Sequence, residues 1–125
     1  MHWIVDGMNL IGSKPDGWWR DRAGAQRRLV SALARMVRLD GDDVEVVFDG
    51  QARPPAVVTG VTVTYAPGGP NAADRVIAAM VRAVPDPAAT TVVTSDGDLV
   101  REVRSAGAGV LGVTAFRRLL ERPDA

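Results

Sequence analysis

Apolar residues along this chain fall into two alternating patterns, short uninterrupted runs and longer stretches in which they recur every three or four positions. Trp3, Ile4 and Val5 follow one another and stop at Asp6-Gly7, the pattern of a strand buried on both faces. Val44 to Phe48 repeats it and stops at Asp49-Gly50, and Thr90 to Thr94 repeats it again before Ser95-Asp96-Gly97-Asp98. From Val61 to Ala66 the valines and Tyr65 alternate with threonines, as in an edge strand. Gly109 to Val113 supplies a fifth strand.

The segments between these runs have helical spacing. After a Pro- and Gly-containing loop, Ser13 to Gly17, a helix is expected from Trp18 or Asp21 to Leu39, with Leu29, Leu33, Met36 and Val37 on its buried side and Arg27, Arg28, Arg35 and Arg38 on a solvated one. A loop around Pro54-Pro55 precedes the third strand, and Pro67 to Pro70 forms another, after which Asn71 is placed to cap a helix from Ala72 to about Val84. Its stripe is Ala73, Ile77, Met80, Val81 and Val84, with Asp74 at the margin. A short helix carries Leu99, Val100 and Val103 to about Gly107, and Thr114 caps a last one from Phe116 to Leu120. Strands alternating with helices predict an α/β chain: a three-layer α/β/α, Rossmann-like domain with a mainly parallel sheet of about five strands, since parallel strands need right-handed crossovers. Residues 1–125 read as one such domain.

Composition narrows the chemistry. There is no cysteine, and His2 is the sole histidine, which removes disulfides and thiolate zinc sites and argues against a serine triad. Fifteen basic residues, all arginine except Lys14, balance fifteen acidic ones, so charge alone does not make the chain a duplex-coating protein. No apolar run has bilayer-spanning length and no secretory pattern opens the chain, so the expected setting is cytoplasmic, without membrane association.

Asp6, Asp49, Asp74, Asp96 and Asp98 all fall at strand ends or helix starts, which a parallel sheet gathers at its carboxyl edge, where ligands bind in open α/β folds. Each has an ordinary role as well, as turn former or helix cap. Together they are the donor set of a hard divalent cation, Mg²⁺ or Mn²⁺, and such a site activates water for phosphodiester hydrolysis. Asn9 and Ser95 are placed to orient a water or a phosphate, or to form turns. Lys14, Trp18, Trp19, Arg20 and Arg22 combine aromatic faces with cations, as a single-stranded RNA platform does.

Val5-Asp6-Gly7-Met8-Asn9-Leu10-Ile11-Gly12, Val47-Phe48-Asp49-Gly50, Ala73-Asp74-Arg75-Val76-Ile77 and Val93-Thr94-Ser95-Asp96-Gly97-Asp98-Leu99 resemble, in order and spacing, the motifs of NYN domains, close to the YacP-like branch within the PIN-like nuclease group. The resemblance spans nearly the whole chain. It implies a metal-dependent ribonuclease in which Asp6, Asp74 and Asp96 bind the metal, with Asp98 and Asn9 supporting. The acid that many PIN domains carry in the helix after the first strand has no counterpart between Arg27 and Arg38, and Asp49 is the candidate to stand in for it.

Competing motifs are incomplete. Gly7 to Lys14 has Ser13 before the lysine and Pro15 after it, the wrong order for a phosphate-binding P-loop. No Gly-x-Gly-x-x-Gly follows the first strand, and Met8 stands where an aspartyl phosphatase needs its second acid. The expectation is an endoribonuclease acting on single-stranded RNA. The alternatives are an RNA-binding or adaptor domain with little catalysis and a toxin-type PIN nuclease held by a regulatory protein partner. A homodimer is left open.

Overall fold

A computed structural model describes residues 1–50, 53–69 and 71–123. Among them the order of elements is β1 (His2–Asp6), α1 (Gly7–Gly12), a 3-10 turn (Trp18–Arg20), α2 (Arg22–Asp40), β2 (Asp43–Gly50), β3 (Ala56–Val58), β4 (Val61–Pro67), α3 (Ala72–Ala83), a second 3-10 turn (Pro87–Ala89), β5 (Thr90–Val93), α4 (Gly97–Ser105), β6 (Gly109–Leu111) and α5 (Val113–Leu120). Pro70, expected in the loop before α3, lies outside the described residues. No helix among the described residues is long and apolar enough to cross a membrane.

The strands form one sheet in the order β3-β4-β2-β1-β5-β6, parallel except for β3. Successive residues of β1 face opposite layers, because side chains alternate along a strand. Trp3 and Val5 join the core under α1, α2 and α5, with Leu10, Leu33, Phe48 and Phe116. Ile4 joins the other, under α3 and α4, with Val47, Ile77, Val92 and Val103. This two-sided burial is why the strands read as continuous apolar runs.

Several expectations are corrected. The sheet has six strands among the described residues, not about five, and β4 is not the edge: the three residues of β3 cover it in antiparallel register, Ala56 opposite Val63. A six-residue helix, α1, starts directly after Asp6, too short to leave a periodicity. Its start is pressed so closely on β2 that a Cβ on Gly7 would lie 2.5 Å from the Phe48 ring. Of the two possible starts of the long helix, the later one holds, since Asp21 Oδ1 accepts from the Gly24 N–H at 3.0 Å and caps α2. Trp18 belongs to a separate turn.

Asn71 occupies the N-cap position of α3 in a left-handed conformation, φ 67°, and its side chain makes no capping bond. β5 ends at Val93 and β6 at Leu111, so Thr94 and Val113 leave the strands expected to contain them. α5 begins at Val113 with Gly112 at its N-cap, in place of Thr114. Arg35 is not simply solvated: its guanidinium donates to the carbonyl oxygens of Leu120 and Arg122 and ties α2 to the C-terminal segment.

Candidate active site

The carboxyl edge of the sheet is built around the end of β1. Asp6 pairs in register with Val47, one step before Phe48-Asp49, and Val5 pairs with Val93, just before Thr94. Asp6 is 5% exposed, an unusual place for a carboxylate. Thr94, 1% exposed, donates its hydroxyl to Asp6 Oδ2 at 3.0 Å. The same Thr94 oxygen accepts the backbone N–H of Asp96 at 3.2 Å. One hydroxyl therefore links the first strand's acid to the loop that presents Asp96.

That loop is held at two further points. Asn9 Oδ1, on α1, accepts the Ser95 N–H at 2.9 Å, and Ser95 Oγ accepts the Val113 N–H, at the start of α5, at 3.1 Å. Asn9 and Ser95 thus fasten α1, the β5–α4 loop and α5 together through the side-chain oxygens that the sequence offered for water or phosphate. Asp96 Oδ1 accepts the Leu99 N–H at 3.0 Å as the N-cap of α4, leaving its other oxygen outside that bond.

Asp74, half-buried in the first turn of α3, lines a cavity of about 200 Å³ with Asn71, Arg75, Asp96, Asp98 and Glu102. Asp6 does not line this cavity but is coupled to it electrostatically. Burial pushes the Asp6 carboxyl up to about 6, with the charges of Asp74 and Asp49 adding to the rise. The Thr94 hydroxyl and the nearby Asn9 backbone N–H act against it. Asp74 is also raised, first by burial and then by Asp96, Asp49 and Glu102, with Arg75 opposing.

Asp49 is 3.6 Å from the Arg22 guanidinium. Asp98 is exposed and ion-paired to Arg101 on its own helix, so it faces the cavity already partnered. Thr94, Glu102 and Arg75 are the residues that sequence reading missed. Thr94 falls in the expected strand run and Arg75 inside the motif from Ala73 to Ile77, neither with a role of its own, and Glu102 carries no motif signal.

The expected RNA platform is divided. Trp18 is half-buried and lines an apolar cavity of about 170 Å³ between α1, α2 and α5, with Leu10, Leu29 and Leu120. Trp19 is 56% exposed, edge-on to Trp18 with ring centroids 6.0 Å apart. Arg20 lies over Trp19 and Arg22 over Trp18, at 5.8 and 5.7 Å. Lys14 is 3.7 Å from Glu121 and lines the Trp18 cavity, not the acidic one.

Among the described residues no three acidic or histidine side chains stand close enough to cage an ion by themselves. The donor chemistry still fits a hard cation. Mg²⁺ needs only one or two carboxylates when water and substrate phosphate complete its shell, and Asp6 is a buried acid whose charged neighbours are acids.

The YacP-like NYN domain model matches residues 3–124. The chain belongs to the YacP-like NYN domain family. Two crystal structures of Rae1 (YacP) from Bacillus subtilis are similar to this NYN domain. The W164L mutant is 26% identical with a TM-score of 0.76, and the second structure is 24% identical with a TM-score of 0.79. Each comparison covers 97% of this chain and 74% of the other. No curated protein matches the chain. The family is one of ribonucleases, which supports a nuclease-type, RNA-related function for this NYN domain.

Proposed function

We propose that this protein is a metal-dependent endoribonuclease that hydrolyses phosphodiester bonds of single-stranded RNA. The observation that carries the proposal is Asp6: a buried carboxylate at the carboxyl edge, raised to about 6 and surrounded by the charges of Asp74 and Asp49. Such an arrangement is unfavourable in the protein alone and becomes favourable when a divalent cation neutralises it. Asp6, Asp74 and Asp96 would hold Mg²⁺ or Mn²⁺, with Asp98 and Asp49 contributing negative charge from the rim. A bound ion would supply Lewis-acid chemistry there, making water more acidic and offsetting charge on the leaving oxygen.

The chain's own residues set the geometry. Thr94 fixes Asp6 Oδ2 and, by accepting from Asp96, holds the two acids in one frame. Asn9 and Ser95 keep the Asp96 loop against α1 and α5. Trp19 with Arg20 offers an exposed stacking face.

A metal titration tests the reading. Labelled single-stranded RNA of mixed sequence is expected to be cut with Mg²⁺ or Mn²⁺ and not with EDTA, and Asp6→Asn is expected to lose at least about 100-fold in rate. Cleavage by Asp6→Asn at the wild-type rate would remove Asp6 from the site. The second reading, an RNA-binding domain without cleavage, is favoured by one observation, the lack of a three-acid cage among the described residues. Unchanged RNA and unchanged thermal stability across the titration would select it.

A further inference from the structure

Two cavities of about 200 and 360 Å³ lie next to each other between α2 and β4 and share Ala23, Gln26, Arg53 and Tyr65. The first reaches Arg22 and Asp49, and the second extends to Arg27 over an apolar floor that includes Phe48 and Val63. Together they form one groove. Its end at Asp49 meets the carboxyl edge, since the charge of Asp49 acts on both Asp6 and Asp74.

The charge of this groove is opposite to that of the acidic site. Arg22, Arg27 and Arg53 face a single lining carboxylate, Asp49, on a chain whose formal net charge is zero. Neither Arg27 nor Arg53 has an ion-pair partner among the described residues. By contrast, the cations beside the Trp18 cavity are engaged, Lys14 with Glu121 and Arg117 with Ser13 and the Leu10 carbonyl. Arg53 lies 5.6 Å over the Tyr65 ring, which is braced against Phe48 at 6.0 Å. A cation stacked on a braced aromatic ring, beside the unpaired Arg27, the Arg22 guanidinium at Asp49 and an apolar floor, is what a nucleotide strand needs: a face for a base and charge for its phosphates.

We propose that this α2–β4 groove binds the stretch of single-stranded RNA next to the scissile bond, with a base stacked on the Arg53–Tyr65 pair and phosphates against Arg22 and Arg27. The proposal rests on the ribonuclease reading for its choice of ligand and adds a binding track that meets the Trp18–Trp19 segment at Arg22 and runs from there to Arg53, Tyr65 and Arg27. It explains how an acidic site holds a polyanion, because the phosphates on either side of the reacting one lie among cations.

The test uses the full chain in EDTA, so that binding is read without cleavage, and a fluorescein-labelled 12-nucleotide oligouridylate followed by anisotropy. Arg27→Ala/Arg53→Ala is expected to weaken binding about 10-fold and to reduce the slope of log K against log salt by about 0.7, the one phosphate contact of Arg27 on a single strand. Its melting temperature should stay unchanged, since both arginines are exposed. Tyr65→Leu, which keeps apolar packing on Phe48, is expected to weaken binding about 5- to 10-fold, and 5-iodouridine in the oligonucleotide should photo-cross-link to Tyr65 in the wild type. Binding within twofold of wild type in both folded variants, cross-links only at Trp18 or Trp19, or no binding by the wild type would each overturn the groove. Groove-dependent binding without cleavage in Mg²⁺ or Mn²⁺ would support the groove and remove the nuclease reading. Cleavage with the groove variants binding normally would do the reverse.

Discussion

Asp6 is where the proposed function and stability oppose each other. Its carboxyl lies at about 6 in the folded protein against 3.8 for the ordinary group, so its favourable contribution is complete below 3.8 and is lost as pH rises through 6. At roughly 1.4 kcal/mol per pKa unit, the ionised group costs the metal-free fold on the order of 3 kcal/mol at pH 7. About 1 kcal/mol of this should return between pH 7 and pH 5, and Asp74, raised in the same direction, adds to the trend. Thermal unfolding in EDTA should therefore show Asp6→Asn at least as stable as wild type at pH 7, with the wild type gaining on it at pH 5. A destabilised Asp6→Asn at pH 7 would mean that the carboxylate is structural. Thr94→Val removes the donor to Asp6 and the acceptor for the half-buried Asp96 N–H. It is expected to cost about 1–3 kcal/mol in urea unfolding and to weaken Mn²⁺ binding, whereas Thr94→Ser should retain both.

At the scale of elements, the site depends on how α1 leaves β1. The helix can turn away immediately after Asp6 because residue 7 has no side chain, and an added Cβ would sit 2.5 Å from two atoms of the Phe48 ring. Phe48 is fully buried between β2 and the α1–α2 layer, so it has little room to yield. Gly7→Ala is expected to destabilise by about 1–3 kcal/mol, and Phe48→Leu in the same chain should recover part of that loss by opening space. Denaturant midpoints of the two single variants and the double variant check this coupling. The same reasoning explains which elements were legible. Two-sided burial made β1, β2 and β5 readable, because it leaves consecutive apolar residues at their centres, Trp3 to Val5, Val46 to Phe48 and Val92 with Val93. The three exposed residues of β3 form a strand only because β4 offers its free edge, and the six residues of α1 are too few to show a helical stripe.

For the whole molecule, the proposed function makes divalent cations ligands of the native state alone, since only the fold gathers the acids at one sheet edge. Saturating Mn²⁺ at 100 times its dissociation constant should stabilise the fold by about 2.7 kcal/mol. The rise in melting temperature should be larger at pH 7 than at pH 5, where protons compete for Asp6. In Asp6→Asn the rise should shrink, and an undiminished rise there would place the ion elsewhere. Metal-dependent stabilisation without RNA cleavage would separate ion binding from catalysis.

The order of apolar runs and helical stripes determined the α/β layering, the parallel sheet and the placement of Asp6, Asp49, Asp74 and Asp96 at one edge, because strand direction and side-chain alternation are local properties that topology carries to a common end. The same local pattern offered Asp21 as one of two starts of the long helix, and the structure makes it the cap, through a bond between residues three positions apart. What each polar side chain does at that edge was decided by tertiary structure. Asn9 and Ser95 act on segments 86 and 18 residues away, and Thr94 bonds Asp6 across 88 residues, distances that spacing along a chain does not encode. Asp98 shares the acidic cavity but is paired with Arg101, and Trp18 turned inward while Trp19 did not. Burial decides such roles, and burial belongs to the folded chain.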